Sequence, residues 1–295
     1  MNIKISVLLC TYRFGGISIS LEGLARQTFP RNDFEVILCD RWYEERKDAV
    51  KELNEQYEVP LIHVKPIRQQ FPLSSGSMQR NSAICEASGE LLIFLCDYAL
   101  CQPDWLQRHW NCYDPERMTT GMGPHRYRVH PPELKENWEK EYISIFKEEL
   151  TPDKIMNLPI QPAGQDPKLE RGGGPIGGDY FHMKNEAFMT STALAINGCD
   201  EGFDNQGGHA YSDMDYGQRI NNAGGTFLLD PSNIIEIIQI RDIYPLLQRN
   251  RDTGEDYNYY IGRKGQWENN TSLLPAPNGY SLKELREEIL RKRYA

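Results

Sequence analysis

The sequence predicts an α/β fold with a mostly parallel, Rossmann-like central sheet flanked by helices, an inserted middle segment and a C-terminal helical tail. Short apolar runs alternate with helical stretches through the first third of the chain. The runs are far enough apart for right-handed crossover connections, which join parallel strands. Polar residues follow several runs, and ligands bind such sheets beyond the carboxyl ends of the strands. The sequence therefore predicts a ligand site at that edge.

The predicted elements alternate regularly. Strands are predicted at 3–10, 34–40, 61–64 and 91–96, and helices at 18–27, 44–57 and 78–87. Three strands lead to polar side chains, which are Thr11, Tyr12 and Arg13 after the first, Asp40 at the second and Asp97 after the fourth. Three strand ends that deliver polar groups to one edge indicate a binding site more strongly than one does.

The fourth strand belongs to the most informative segment, GELLIFLCDYALCQPDWL, which runs from Gly89 to Leu106. Its apolar run ends on a single carboxylate, Asp97, and the following PDWL is typical of a helix start. A carboxylate held at the end of a central strand can meet a metal-bridged diphosphate or a ribose hydroxyl. The same pattern is also typical of a residue that caps a turn.

Composition limits the classes of partner and the cellular environment that we expect for the protein. The formal net charge of −9 and the pI near 5.3 provide no global basic field, so nucleic acid would need a local basic groove. The seven cysteines show no paired metal-ligand spacing, and several lie in apolar runs, which indicates reduced thiols. No charged leader precedes the first strand, and no apolar stretch approaches the ~20 residues of a membrane span. We therefore expect a soluble, cytoplasmic protein.

The chain changes character after residue 111. Residues 112–171 are rich in proline and carry a charged helical stretch at 133–149, as expected of an insertion or lid. Residues 242–295 form an extension that ends in a helix at 282–293, whose apolar positions would dock on the body or on a second copy in a homo-oligomer. Aromatic residues of this extension could instead stack on a sugar or a base: Tyr257, Tyr259, Tyr260 and Trp267.

A glycine-rich segment, ERGGGPIGGDYFHMKNEAF, follows the proline-rich part. Its glycines would let backbone amides approach a ligand closely, although a flexible surface loop has the same composition; they are Gly172, Gly173, Gly174, Gly177 and Gly178. The segment lacks the lysine-serine pair of a Walker loop and the G-x-G-x-x-G spacing that follows a strand. The phosphate cradles of ATPases and dinucleotide enzymes are therefore disfavoured.

Farther along, Asp213 and Asp215 open a predicted helix. Carboxylates in a first helical turn are favoured by the free amides and the macrodipole, which keep them ionised. That position alone explains them structurally. An ionised Asp213 that meets a substrate hydroxyl would also be placed as a general base.

In this order and spacing, four blocks resemble a family 2 type glycosyltransferase of the GT-A fold across most of residues 3–230. ISVLLCTYR resembles the family's first strand and P-T-Y-N turn, and EVILCD the strand whose aspartate recognises the base. QRNSAICEASGELLIFLCDYALCQPDWL resembles the A-R-N helix and the strand to the D-x-D motif. GGDYFHMKNEAF, NGCDEGF and SDMDYGQRI resemble the acceptor and donor segment with its G-F-D-E and E-D-x-D-x-x-x-R elements.

The resemblance implies a role for each matching residue. The nucleotide-sugar site would comprise Thr11, Tyr12, Arg13, Asp40 at the base, Arg80, Asn81, Asp97, Gly177 and Gly178. Asp213 would deprotonate an acceptor hydroxyl, and the sugar would be transferred with inversion. Residues 1–111 would be the nucleotide-binding half, 112–171 the insertion and 172–241 the acceptor-binding and catalytic half. The donor would be a nucleotide-diphosphate sugar, with UDP the expected nucleotide.

The departures from the family pattern concern the metal. Cys96 and Tyr98 flank Asp97 where the family has acidic residues, so a Mn or Mg ion would have Asp97 and, more weakly, His209 as ligands. Without a metal, arginines would have to offset the leaving diphosphate, and the candidates are Arg13, Arg80 and Arg171.

Two other functions stay open at this level. A non-catalytic nucleotide-sugar or glycan binder on the same fold would also show a degenerate acidic motif. A sugar nucleotidyltransferase would share the sheet, but it should carry a G-x-G-T-R type loop after the first strand, where this chain has CTYRFGG. The hydroxyl acceptor is not identified by the sequence.

Overall fold

The computed structural model describes residues 3–11, 16–67, 76–129, 151–161, 165–206, 211–239 and 275–294. The strands in these ranges are β1 Ile5–Thr11, β2 Phe34–Asp40, β3 Leu61–Val64, β4 Leu91–Cys96, β5 Ala99–Cys101, β6 Thr119–Met122, β7 His125–Val129, β8 Gly174–Ile176, β9 Asn185–Met189, β10 Thr226–Leu229 and β11 Ile235–Gln239. The helices are α1 Ile17–Ala25, α2 Tyr43–Tyr57, α3 Gly76–Glu86, α4 Trp105–Asn111, α5 Pro152–Asn157, α6 Thr190–Ala195, α7 Ser212–Asn222 and α8 Leu282–Tyr294.

Eight strands form the central sheet in the order β3-β2-β1-β4-β9-β6-β10-β8. The first four are mutually parallel, as the crossover spacing predicts, while β9 runs antiparallel to β4 and β6, and β8 closes the far edge antiparallel to β10. A small second sheet has the order β5-β11-β7. The predicted fold class, a mostly parallel sheet flanked by helices, is confirmed.

Both faces of the central sheet are buried, which explains why its strands read as continuous apolar runs. Alternate residues of β1 enter two separate cores: Val7 and Leu9 pack with α1, α2 and α4, whereas Leu8 packs with α3 and α7. The predicted bounds of the second, third and fourth strands match those observed. The core therefore fixes the edge where these strands end.

The central sheet crosses the boundary predicted at residue 112. Strand β6 lies inside the sheet, between β9 and β10, so part of the segment expected to be an insertion belongs to the core. The helical stretch expected at 133–149 and the aromatic residues of the C-terminal extension lie outside the described residues.

The C-terminal helix α8 packs against α3 of the same chain. Leu282 is fully buried, Leu285 and Ile289 pack against the core, and Arg293 donates a hydrogen bond to the Glu86 carbonyl. Docking on the body, one of the two outcomes expected, is thus observed, and association with a second copy stays a prediction. Among the helices that the structure describes, none has the length and apolar character needed to cross a membrane.

Candidate active site

A buried ion pair joins the end of β2 to helix α2. Asp40 and Arg46 are fully buried, and the guanidinium binds both carboxylate oxygens, at 2.5 and 2.6 Å. His63 Nε2 and the Trp42 amide lie 3.0 and 2.8 Å from the same carboxylate. Burial alone would raise the pKa of Asp40, but the hydrogen bonds from His63 and Arg46 outweigh it and lower the pKa.

The carboxylate of Asp40 is thus fully engaged within the protein. Its expected contact with a nucleobase stays a prediction, and it would require Arg46 or His63 to release an oxygen. Thr11, which lies beside Asp40 in the register of β1 and β2, donates a hydrogen bond to Asp97 at 3.2 Å. The polar groups of the first, second and fourth strands therefore meet at one edge, as the strand order predicts.

The residues around Asp97 separate into different environments. Asp97 is almost completely buried beside Thr11. Tyr98 has a positive φ of 61° and is fully buried, and its ring packs on Gly16 so closely that a Cβ at Gly16 would lie 1.8 Å from it. The phenol is therefore a packing element at the start of α1.

Helix α3 presents the Arg80-Asn81 pair. The Asn81 amide donates to the Cys199 carbonyl and to Glu201, each at 3.0 Å, and its oxygen accepts from the Cys199 amide at 2.7 Å. Arg80 is half-buried, and its Nη1 has no hydrogen-bond partner within the described ranges. Asn81 thus ties α3 to the following half of the chain, whereas Arg80 keeps a donor for a ligand.

The two glycines expected at the nucleotide sugar also differ. Gly178 is buried against α7, and a Cβ there would lie 2.3 Å from the Gly217 carbonyl. Its amide donates to Asn221 Oδ1 at 2.5 Å. Gly177 is exposed. Close packing of a turn on a helix therefore explains Gly178, and its expected contact with a ligand stays a prediction.

Helix α7 begins at Ser212 and carries both aspartates in its first turn, as predicted. Asp215 is fully buried and forms an ion pair with Arg219 at 2.8 Å. Asp213 is half-buried, and its Oδ1 accepts from the Met214 amide at 2.9 Å. The two carboxylates are thus distinct, because Asp215 holds the helix while Asp213 reaches solvent.

Lys184, which the sequence reasoning missed, stands at the same edge. Its carbonyl accepts from the Cys96 amide at 3.3 Å, and its ammonium lies 2.7 Å from Tyr127 Oη and 3.4 Å from His125 Nε2. Burial alone would lower the pKa of Lys184, but Tyr127, Cys96 and Asp213 outweigh it and raise the pKa.

Lys184 precedes a strand, whereas the residues predicted from the sequence follow strands. Strand β9 is antiparallel to β4, and Asn185 at its start pairs with Leu95 near the end of β4. A residue that precedes β9 therefore reaches the same edge as residues that follow β4.

Behind Lys184 lies a buried polar cluster. Lys168 contacts Glu186 and lies 3.5 Å from Asp166, which in turn lies 2.8 Å from His125 Nδ1. Burial lowers the pKa of His125 to about 4. His125, Asp166 and His182 place one ligand atom each within 4.8 Å of one another, which is a spacing that could hold a metal ion.

Several predicted residues fall elsewhere. Tyr12, Arg13 and His209 lie outside the described residues. Arg171 is exposed and stacks on the Tyr180 ring at 4.7 Å, where its Nη1 also donates to the Tyr180 hydroxyl. The candidate residues that the structure describes are thus Thr11, Asp40, Arg80, Asp97, Lys184 and Asp213, and their convergence on one ligand stays a prediction.

No family model and no curated protein sequence matches the chain. Several solved structures do match the chain. The S. aureus TarS 1–349 structure in complex with UDP matches with a TM-score of 0.58 at 13% identity, over 99% of this chain and 72% of that one. The mannosyltransferase PcManGT from Pyrobaculum calidifontis, in complex with GDP-Man and Mn²⁺, matches with a TM-score of 0.54 at 13% identity, over 100% and 76%. GalNAc-T7 with UDP, GalNAc and Mn²⁺ matches with a TM-score of 0.56 at 15% identity, over 97% and 54%.

These neighbours are glycosyltransferases of the GT-A fold. The strand order, the antiparallel β9 and the match over almost the whole chain assign this fold to the protein. At such low identities the likeness establishes the fold alone, so membership of family 2 stays a prediction.

Proposed function

We propose that the protein is a glycosyltransferase that moves a sugar from a nucleotide-diphosphate sugar, with UDP the expected nucleotide, to an acceptor hydroxyl. The observation that carries the proposal is the packing of helix α7, which bears the half-buried Asp213, on strand β4: the ring centroids of Tyr216 and Phe94 lie 6.0 Å apart. The backbone of Lys184 is hydrogen-bonded to the end of the same strand, beside Asp97. The bound nucleotides of two structural neighbours and the GDP-Man of a third support the donor class.

The proposed sugar transfer requires one general base and a leaving nucleoside diphosphate. Asp213 takes the proton of the acceptor hydroxyl while the acceptor oxygen attacks the anomeric carbon. The bond from that carbon to the diphosphate oxygen breaks, and its electron pair leaves with the nucleoside diphosphate. Attack and departure on opposite faces invert the anomeric centre. Asp215 and Arg219 hold the first turn of α7, which fixes the position of Asp213.

A panel of UDP- and GDP-sugars tests the proposal through release of the nucleoside diphosphate, with water or added simple sugars as acceptor. We expect turnover of one donor by the wild-type protein. The variant Asp213→Asn should lose ~10²- to 10⁴-fold in rate and retain donor binding, because a general base contributes about that much. Ser212→Ala, next to Asp213 in the chain, serves as the neighbouring control for helix α7.

Three results would argue against the proposal. Donor binding without turnover by the wild-type protein would favour a non-catalytic binder. Consumption of a nucleoside triphosphate together with a sugar phosphate would favour a nucleotidyltransferase. Full activity of Asp213→Asn would exclude that residue as the base.

A further inference from the structure

We propose that the ammonium of Lys184, rather than a divalent metal ion, binds the donor diphosphate. The inference rests on the proposed function and adds the means by which the leaving group is bound. It depends on three features of the described residues: the composition of the acidic motif, the occupancy of the polar cluster behind it and the contacts of Lys184.

The acidic motif does not fit a metal. Of its three residues, Tyr98 is packed on Gly16 and fully buried, and Cys96 offers a thiol. Asp97 alone supplies a carboxylate, and Thr11 donates a hydrogen bond to it. Mn²⁺ and Mg²⁺ select oxygen ligands, and a single buried carboxylate is a poor donor set for them.

The polar cluster does not fit a metal either. Asp166 Oδ2 already lies 2.8 Å from His125 Nδ1 and 3.0 Å from the His125 amide, and Oδ1 accepts from the Lys168 amide at 3.0 Å. The ammonium of Lys168 contacts Glu186 and lies 3.5 Å from Asp166, and that of Lys184 lies 3.4 Å from His125 Nε2. A divalent ion would therefore add positive charge to a buried site next to two ammonium groups.

Lys184 has the contacts of a ligand-binding cation. Because His125 Nδ1 faces Asp166, its Nε2 is the acceptor that faces the ammonium of Lys184. The second acceptor is the Tyr127 hydroxyl. An ammonium has three N–H donors, and within the described ranges these two neutral acceptors are its hydrogen-bond partners. One N–H remains for a ligand, and no carboxylate of the described residues lies within ion-pair distance.

The position suits the leaving group. Lys184 is half-buried, its backbone is anchored beside Asp97, and helix α7, which carries Asp213, packs on β4 through the rings of Tyr216 and Phe94 at 6.0 Å. A donor held between the two residues would place its anomeric carbon toward Asp213 and its diphosphate toward Lys184. As the bond to the diphosphate breaks, its oxygen gains negative charge, and a charge-assisted hydrogen bond from Lys184 strengthens.

Calorimetric titration of UDP and GDP in EDTA, with uridine and guanosine as matched nucleosides, tests the inference. We expect the wild-type protein to bind one diphosphate nearly as well in EDTA as with Mn²⁺. Lys184→Met should lose ~10- to 100-fold in affinity for that diphosphate, because a charge-assisted hydrogen bond is removed. Its affinity for the matched nucleoside should not change. Lys51→Met, which removes one exposed lysine of α2, is the charge-matched control.

A second variant tests the inference independently in case Lys184→Met does not fold. Tyr127→Phe keeps the charge and removes one acceptor of the ammonium, so we expect a ~2- to 10-fold loss for the diphosphate alone. Unchanged diphosphate affinity in both variants overturns the inference, as does wild-type binding that EDTA abolishes and Mn²⁺ restores. Either result leaves the proposed function standing. Absence of binding to both diphosphates by the wild-type protein ends the proposed function and the inference together.

Discussion

The two halves of the candidate site use their charged residues differently. At the end of β2, Asp40 forms a buried ion pair with Arg46 of α2, and His63 of β3 completes the contact. In the other half, Asp213 is half-buried, and Lys184 is held by two neutral acceptors. In a buried ion pair whose carboxylate oxygens are all hydrogen-bonded, both side chains are held in place by the protein. A charged group with an unused hydrogen-bonding site is available to a ligand.

This comparison shows that neighbouring residues of one family-like motif can have different roles. Within the Arg80-Asn81 pair, Asn81 binds the backbone of Cys199, whereas Arg80 Nη1 has no hydrogen-bond partner among the residues that the structure describes. On α7, Asp215 binds Arg219 while Asp213 does not. We therefore expect substitutions that break the Asp40–Arg46 pair to change stability and substitutions of Lys184 or Asp213 to change function.

The largest expected effect on stability comes from breaking the buried pair. Arg46→Met should lower the free energy of unfolding by about 3–5 kcal/mol, because it leaves the Asp40 carboxylate buried without its main partner. Urea denaturation measures the loss. The double variant Asp40→Asn with Arg46→Met should be more stable than Arg46→Met alone. A double variant that is no more stable would show that the pair is not the source of the effect.

A smaller effect is expected in the response to acid. Burial lowers the pKa of His109 to about 4, despite a hydrogen bond with Asn185, and lowers that of His125 to about 4 as well. The unfolded chain takes up these protons near the ordinary pKa of 6.5, so stability is lost as the pH falls from about 6.5 toward 4. Asp204 opposes this, because burial raises its pKa to about 6 and favours the folded state in acid.

The balance between pH 7 and 5 is a loss on the order of 2 kcal/mol, which urea denaturation at the two pH values measures. His109→Gln should reduce the loss, because one of the two buried imidazoles is removed. Stability that stays level or rises on acidification would contradict the assignment of neutral, buried histidines.

The smallest expected effect separates packing from ligand contact at Gly178. Gly178→Ala should destabilise the fold by about 1–3 kcal/mol, because the added Cβ would overlap the Gly217 carbonyl. The matched control is Gly172→Ala, where a Cβ would meet nothing within 4 Å. Loss of donor affinity in Gly178→Ala without loss of stability would instead support the ligand role that its sequence motif implies.

Much of the architecture could be predicted from the sequence because both faces of the sheet are covered. Strands such as Leu91–Cys96 then read as uninterrupted apolar runs bounded by polar residues, and their ends follow directly. The start of α3 was predicted two residues late, since Asp204 caps it from far along the chain through the Ser77 and Met78 amides. Such capping leaves no local signal.

The candidate site was less predictable, because it depends on partners distant in sequence. Asp40 was correctly expected at a strand end, but nothing local indicates that Arg46 and His63 would occupy its carboxylate. Lys184 could have been found only by expecting β9 to be antiparallel. Placement of β6 in the sheet likewise requires long-range pairing that periodicity does not report.

The most direct test of the account is a crystal structure with the nucleoside diphosphate selected by titration. We expect a phosphate oxygen within hydrogen-bond distance of Lys184 Nζ, with the side toward Asp213 free for sugar and acceptor. A nucleotide bound elsewhere, or a diphosphate held through a metal ion while Lys184 remains on Tyr127 and His125 alone, would contradict it.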